Sequence, residues 1–249
     1  MPIMTVGTGR ALIPTGINYS DQKVLALGPI AYWPLTETSG TVAHCLVNPA
    51  QNGTYSSNVA TWPVGAGIGD GNTAPIFDGA NDWVQAFSAT LAAAWAANCP
   101  TTGAVMIWTK AANLGMWTDG AIHYPCEFAD LVNFDQIYNR KLDPSQLQMR
   151  HITNGGLNVQ TRLDNPENAT AWVLRVISWN SVAGRVTFYR NTNVLLQGPP
   201  NALAGTITAA QIGNRADGGV SRWHGPLANC AIFGYELLQA HVDDLYVVI

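Results

Sequence analysis

Ala171-Trp172-Val173-Leu174-Arg175-Val176-Ile177-Ser178-Trp179 leads through the turn pair Ala183-Gly184 into Arg185-Val186-Thr187-Phe188-Tyr189-Arg190. The first segment is dense in β-branched and aromatic residues. The second alternates polar with apolar, as a strand with one solvated face should. Two antiparallel strands are the natural reading, and the pattern continues outward in both directions. Further strands are expected at Ile30–Trp33, Trp83–Phe87, Ala104–Thr109, Phe134–Arg140, Leu147–Ile152, Leu157–Leu163 and Ala228–Tyr235. Turn residues stand between them, at Asn154-Gly155-Gly156, Asn191-Thr192-Asn193 and Asp217-Gly218-Gly219. Helical periodicity is confined to Ala89–Ala97 and Leu237–Tyr246, and Leu245–Ile249 reads as a closing strand or docked tail. Many short strands with few helices predict an all-β, two-sheet antiparallel jelly-roll sandwich.

Composition narrows the partners. Of 249 residues, 47% are hydrophobic and only 11% charged, against a usual charged share of about 25%. The formal net charge is -4, and the few Lys and Arg are scattered. Nucleic acid is therefore excluded as a partner, because phosphate binding needs clustered cations. No apolar run is long enough to insert in a membrane as a helix. The first residues show neither a basic n-region nor an apolar h-region, so no signal peptide is expected. Four cysteines (Cys45, Cys99, Cys126, Cys230) are widely spaced and read as small buried hydrophobes.

The first 29 residues lack a period, and the sequence divides into an extended N-terminal arm (1–29) and a sandwich (30–249). The arm is expected either to pack along its own domain or to lie on a neighbouring subunit. Arg10, Ile13, Ile17 and Tyr19 are its candidate assembly contacts.

Several blocks, in order, carry a resemblance. These are Ala31-Tyr32-Trp33-Pro34-Leu35, Gln51-Asn52-Gly53-Thr54-Tyr55, Phe77-Asp78-Gly79-Ala80-Asn81-Asp82-Trp83-Val84, Val105-Met106-Ile107-Trp108-Thr109-Lys110, and Trp223-His224-Gly225-Pro226-Leu227 continuing to Phe233. Together they resemble laminin-G-like, concanavalin A-like jelly-roll domains over roughly residues 30–246. The resemblance implies two antiparallel sheets but no single function, since the fold serves lectins, adhesion modules, hydrolases and phage structural proteins. It also implies a possible calcium ion at the sheet rim, for which Asp70, Asp78 and Asp82 are the candidate ligands. His44-Cys45 stands where relatives often place an aspartate. Trp83, Trp108 and Trp179 are expected in the two-sheet core. Trp62, Trp117 and Trp223 stand beside turn residues and are the better candidates for an exposed platform, with Arg222 and His224 as polar neighbours of Trp223.

Catalysis finds no anchor. The four Glu include no pair spaced along one strand face, and Glu127 and Asp130 at i and i+3 should point to opposite sides. No nucleophile elbow or zinc spacing occurs. The expected function is accordingly non-catalytic binding. One form is a virion structural or decoration protein of a bacteriophage head, fibre or tail, assembled in the host cytoplasm. It would dock on other virion proteins or on copies of itself (a homo-oligomer) through the arm, with a possible cell-surface glycan as partner. The alternative is a carbohydrate-binding lectin module, with or without calcium.

Overall fold

The computed structural model describes residues 18–142, 146–153, 158–164, 170–199, 205–219 and 221–246. Helix α1 (Tyr19–Ala26) precedes strands β1 (Ala31–Trp33), β2 (Val42–Ala43), β3 (Gly53–Tyr55), β4 (Val64–Ala66), β5 (Thr73–Asp78) and β6 (Val84–Gln85). Helix α2 (Ala89–Asn98) leads to β7 (Thr102–Thr109), β8 (His123–Asp130), β9 (Asp135–Leu142), β10 (Gln146–Thr153) and β11 (Asn158–Asp164). Then come β12 (Val173–Asn180), β13 (Arg185–Arg190), β14 (Asn193–Gly198), β15 (Ala209–Ile212), β16 (His224–Phe233) and helix α3 (Gln239–Tyr246).

The strands form two antiparallel sheets, as the sequence predicts. The first runs β14-β13-β12-β7-β16-β5-β4, and the second β11-β10-β9-β8-β15-β6-β3-β2. Strand β1 also joins the first sheet: the early part of β16 pairs with β5 and its late part with β1. Trp33, Val105, Ile107, Ile177, Trp179, Val186, Phe188 and Ile232 of the first sheet meet Val84, Phe128, Ile137, Met149 and Ile212 of the second in one buried core. Helix α2 adds Leu91 and Trp95 to this core, its start fixed by Ser88, whose hydroxyl accepts from the Leu91 N–H at 3.1 Å.

The back of the first sheet carries a second apolar layer. Tyr32, Met106, Trp108, Leu174, Val176 and Tyr189 pack there with Val24 of α1 and Val242 and Leu245 of α3. Strand β7 is thus covered on both sides, which is why its sequence is a nearly continuous apolar run. This layer corrects three expectations. Trp108 lies behind the first sheet instead of between the sheets, and Trp83 is only half-buried. Thr187 and Tyr189 of β13 face the helix side and are 3% and 4% exposed, so that strand has no wet face.

The segment before β1 also differs from an extended arm where it is described. Tyr19–Ala26 is helical because Asn18 caps it, its Oδ1 accepting from the Asp21 N–H at 2.8 Å. The helix docks on its own domain: Lys23 pairs with Asp244 of α3, and the Tyr32 hydroxyl donates to Asp21. Tyr19 itself is exposed. Arg10, Ile13 and Ile17 lie outside the described residues. Leu245 and Tyr246 end α3 rather than a strand, and residues 247–249 are outside the description. All four cysteines are buried free thiols.

Candidate functional site

Helices cover the back of the first sheet, and among the described residues none covers the back of the second. Alternation along β8, β9, β10 and β15 sends Phe128, Ile137, Met149 and Ile212 into the core. The intervening residues face outward in register: Glu127 opposite Tyr138 and Gln211, Gln148 opposite Arg140, and Arg150 opposite Tyr138. A register irregularity in β8 between His123 and Cys126 turns Tyr124 to the same side, where it clusters with Tyr138 and Ile152.

The result is a polar carpet on an aromatic floor. The Tyr124 and Tyr138 rings are 5.3 Å apart. The guanidinium groups of Arg140 and Arg150 lie 5.3 and 5.5 Å from the Tyr138 ring centre, within cation–π range. Arg140 donates from Nε to Gln148 Oε1 (2.5 Å) and from Nη1 to the Tyr124 hydroxyl (3.2 Å). Arg150 Nη1 donates to the Tyr138 hydroxyl at 2.5 Å. Toward β6 the carpet continues as an amide chain, with Asn214 Nδ2 donating to Gln211 and Gln211 Nε2 donating to Gln85. Burial raises both tyrosine hydroxyls above the usual phenol range, so they remain neutral hydrogen-bonding groups at physiological pH.

Glu127 is the carboxylate of this face. It is 2% exposed and accepts from the Ala216 N–H at 2.6 Å. Burial pushes its pKa up to about 7, helped by Asp217 and opposed by that N–H, Arg215 and Arg140. The folded chain therefore holds this proton more tightly than the unfolded chain does. The group's contribution is complete below about pH 4.5 and is lost as pH rises to about 7, a swing of at most about 3 kcal/mol. Glu127→Gln is expected to raise stability over the wild type at pH 8 and to show no difference below pH 4.5. Chemical denaturation at both pH values checks this; an equal shift at both contradicts it.

The residues singled out from sequence fall elsewhere. Trp62, Trp117 and Trp223 form no exposed platform, being 6%, 2% and 0% exposed. Trp62 packs edge-on against Tyr55 and Phe77, and Trp117 against Trp223. Rings of that size gain most from burial, and all three belong to the main core. Arg222 touches the site's margin, since its backbone bridges to Tyr124 while Nη1 donates to the Ala80 carbonyl. His224 pairs with Asp78 at the β16–β5 end of the other sheet.

The calcium candidates do not converge. Asp70 sits in the loop before β5, accepting from Ser20 and Asn72, whereas Asp78 ends that six-residue strand, roughly 16 Å away at the usual rise per residue. Asp78 Oδ1 accepts from the N–H groups of Ala80, Asn81 and Asp82, and Asp82 Oδ2 accepts from the Asp78 N–H. These oxygens hold a turn. Burial beside Asp78 lifts Asp82 to about 6. Among the described residues no group of three His, Cys, Asp or Glu is placed to hold a metal ion, so the residues do not fit the expected site.

Known structures share this two-sheet architecture. The binding domain of Paraclostridial Mosquitocidal Protein 1 superposes with a TM-score of 0.62 at 13% identity, over 88% of this chain and 51% of that one. The ligand binding domain of botulinum neurotoxin serotype D, in complex with N-acetylneuraminic acid, gives 0.59 at 9% identity, over 90% and 52%. Domain 4 of AbnA, a GH43 extracellular arabinanase from Geobacillus stearothermophilus in complex with arabinotriose, gives 0.55 at 15% identity, over 88% and 98%. The fold is a two-sheet antiparallel jelly roll. The chain spans about half the length of the first two of these domains and nearly all of the arabinanase domain. No protein-family model and no curated protein matches the sequence. The virion reading draws no support from these likenesses.

In this jelly roll, sequence reasoning missed Tyr124, Tyr138, Arg140, Arg150, Gln148 and Glu127 as a group. A signal existed in the outward set Gln136-Tyr138-Arg140 opposite Gln148-Arg150. It was masked because the inward set, Asp135, Asn139, Lys141 and His151, is polar too.

Proposed function

We propose that the protein is a non-catalytic carbohydrate-binding module whose ligand lies on the outer face of the second sheet. The observation that carries this reading is the tyrosine floor of Tyr124 and Tyr138 under Arg140, Arg150 and Gln148, on a sheet face that no described helix covers. Sugars present both hydroxyls and weakly apolar C–H faces. Amide and guanidinium groups bond the first, while the Tyr124 and Tyr138 rings, 3% and 2% exposed, lie beneath the arginines and hold them in place rather than meeting the sugar. The likeness in fold to the arabinotriose-bound domain supports the reading without locating the ligand. No step of bond cleavage is assigned. Glu127 faces outward, while Asp130 accepts turn bonds from Val132 and Asn133 at the start of the β8–β9 hairpin.

A glycan array followed by calorimetry on the best ligand tests this. Gln85→Ala combined with Gln148→Ala should weaken binding about tenfold or more, the scale of one or two lost hydrogen bonds left unmatched. Val182→Ser, in the β12–β13 turn at 85% exposure, should leave it unchanged. Binding to no glycan, or equal binding by the double variant, overturns the proposal.

A further inference from the structure

We propose that the ligand of this face is an acidic sugar whose carboxylate is received between the Arg140 and Arg150 guanidinium groups. This deepens the carbohydrate reading above and depends on it.

Both cations lie over one ring, that of Tyr138, so their guanidinium carbons are held on the same small area of the sheet. Every hydrogen bond they make among the described residues is to a neutral group: Gln148 and Tyr124 for Arg140, Tyr138 for Arg150. Among the described residues neither is in an ion pair, whereas Arg185 pairs with Glu236 and Arg215 with Asp217. The Arg150 Nε is buried and has no hydrogen-bond partner among the described residues. An arginine buried at Nε without an acceptor forgoes a charge-assisted bond, and a planar two-oxygen acid matches that geometry.

Among the described residues no acid bonds to either guanidinium, although Glu127 lies close enough to feel the Arg140 charge. Glu127 is turned to the Ala216 N–H, and Asp217 is paired with Arg215 at 2.6 Å. The excess of positive charge is local, because the chain as a whole carries a net charge of -4. Two guanidinium groups bonded only to neutral groups among the described residues, on a carpet of amides, form a receptor for one negative charge within an otherwise hydroxyl-binding surface.

The test compares matched sugars: lactose against 3′-sialyllactose, and galactobiose against digalacturonate, with a 6-sulfated lactose as a third arm. Calorimetry on the intact chain should show the carboxylated member of at least one pair binding about tenfold or more tightly than its neutral partner. Added salt should reduce that preference. Arg150→Gln and Arg140→Gln should each remove most of the preference, so that the acidic and neutral members of a pair bind alike, with the near-ultraviolet circular dichroism intact. Equal binding of neutral and acidic members overturns this inference but not the carbohydrate reading. So does an acidic preference kept by both variants, or a preference confined to the sulfated sugar. No binding to any sugar overturns both.

Discussion

Asp119→Ala is expected to destabilise the fold by about 3–5 kcal/mol, whereas Lys141→Met should cost under about 1.5 kcal/mol. The asymmetry follows from where the two charges sit. Lys141 projects from β9 toward the core side and is wholly buried. Its ammonium has two acceptors, Asp119 Oδ1 at 2.7 Å and the Ala121 carbonyl at 2.8 Å. Removing Asp119 leaves a buried cation with a single carbonyl, and that uncompensated charge dominates the loss. Asp119, by contrast, is a third exposed and has other partners, the Ala121 N–H and His123 Nε2, each within 2.9 Å. Removing the lysine therefore strands nothing costly, and methionine fills much of its volume. The cluster ties down the segment that carries Met116 and Trp117 into the core against Trp223. Burial alone would raise the Asp119 carboxyl, but Lys141, the Ala121 N–H and His123 bring it down to about 2. Its contribution is present above about pH 3.8 and disappears as pH falls through 2. Urea denaturation of the two single variants and the double variant checks the account. Equal losses in the two singles contradict it, as does a double variant no better than Asp119→Ala.

Gly225→Ala is the second large effect, expected to exceed about 4 kcal/mol and to leave little soluble protein. Gly225 opens β16 at φ +134°, a backbone conformation that side chains rarely adopt. A Cβ there would lie 2.2 Å from the Lys110 carbonyl oxygen and 2.7 Å from the Ala112 nitrogen. These are backbone atoms, held by the bonds Lys110 N–H to Pro226 and Ala112 N–H to His224, so they cannot move aside cheaply. Gly184 is the control. It also has positive φ, at +66°, but nothing lies within 4 Å of its Cβ position, so Gly184→Ala should cost only about 1–2 kcal/mol. Thermal melts of the two variants decide the matter, and similar losses would show that conformation, not close approach, sets the cost at Gly225.

The architecture was legible because its signals are local. The runs at 104–109, 171–179 and 185–190, and the helices at 89–97 and 237–246, follow from residue type and spacing within one segment. What could not be read was which side of each strand would be wet. Tyr189 alternates correctly yet is buried, because α3, more than forty residues later, lies across it. Asn139, Lys141 and His151 look like solvent residues but face the core, where Lys141 has Asp119 and burial holds the His151 imidazole neutral down to about pH 3. Polar residues on both sides of β9 and β10 erased the contrast that would have marked Tyr138, Arg140 and Arg150 as a surface. Trp62, Trp117 and Trp223 misled for the opposite reason. Turn residues beside them suggest exposure, but the rings pack against other aromatics of the core and are buried.

The central claim is that one particular sheet face binds carbohydrate. Backbone and side-chain NMR shifts recorded during titration with the tightest glycan from the array test it most directly. The account predicts saturable changes clustered at Tyr124, Glu127, Tyr138, Arg140, Gln148 and Arg150, with the helix-covered back of the first sheet silent. Changes confined to the Asp78–Trp83 turn or to the β13–β14 edge, or no saturable change with any glycan, would contradict it.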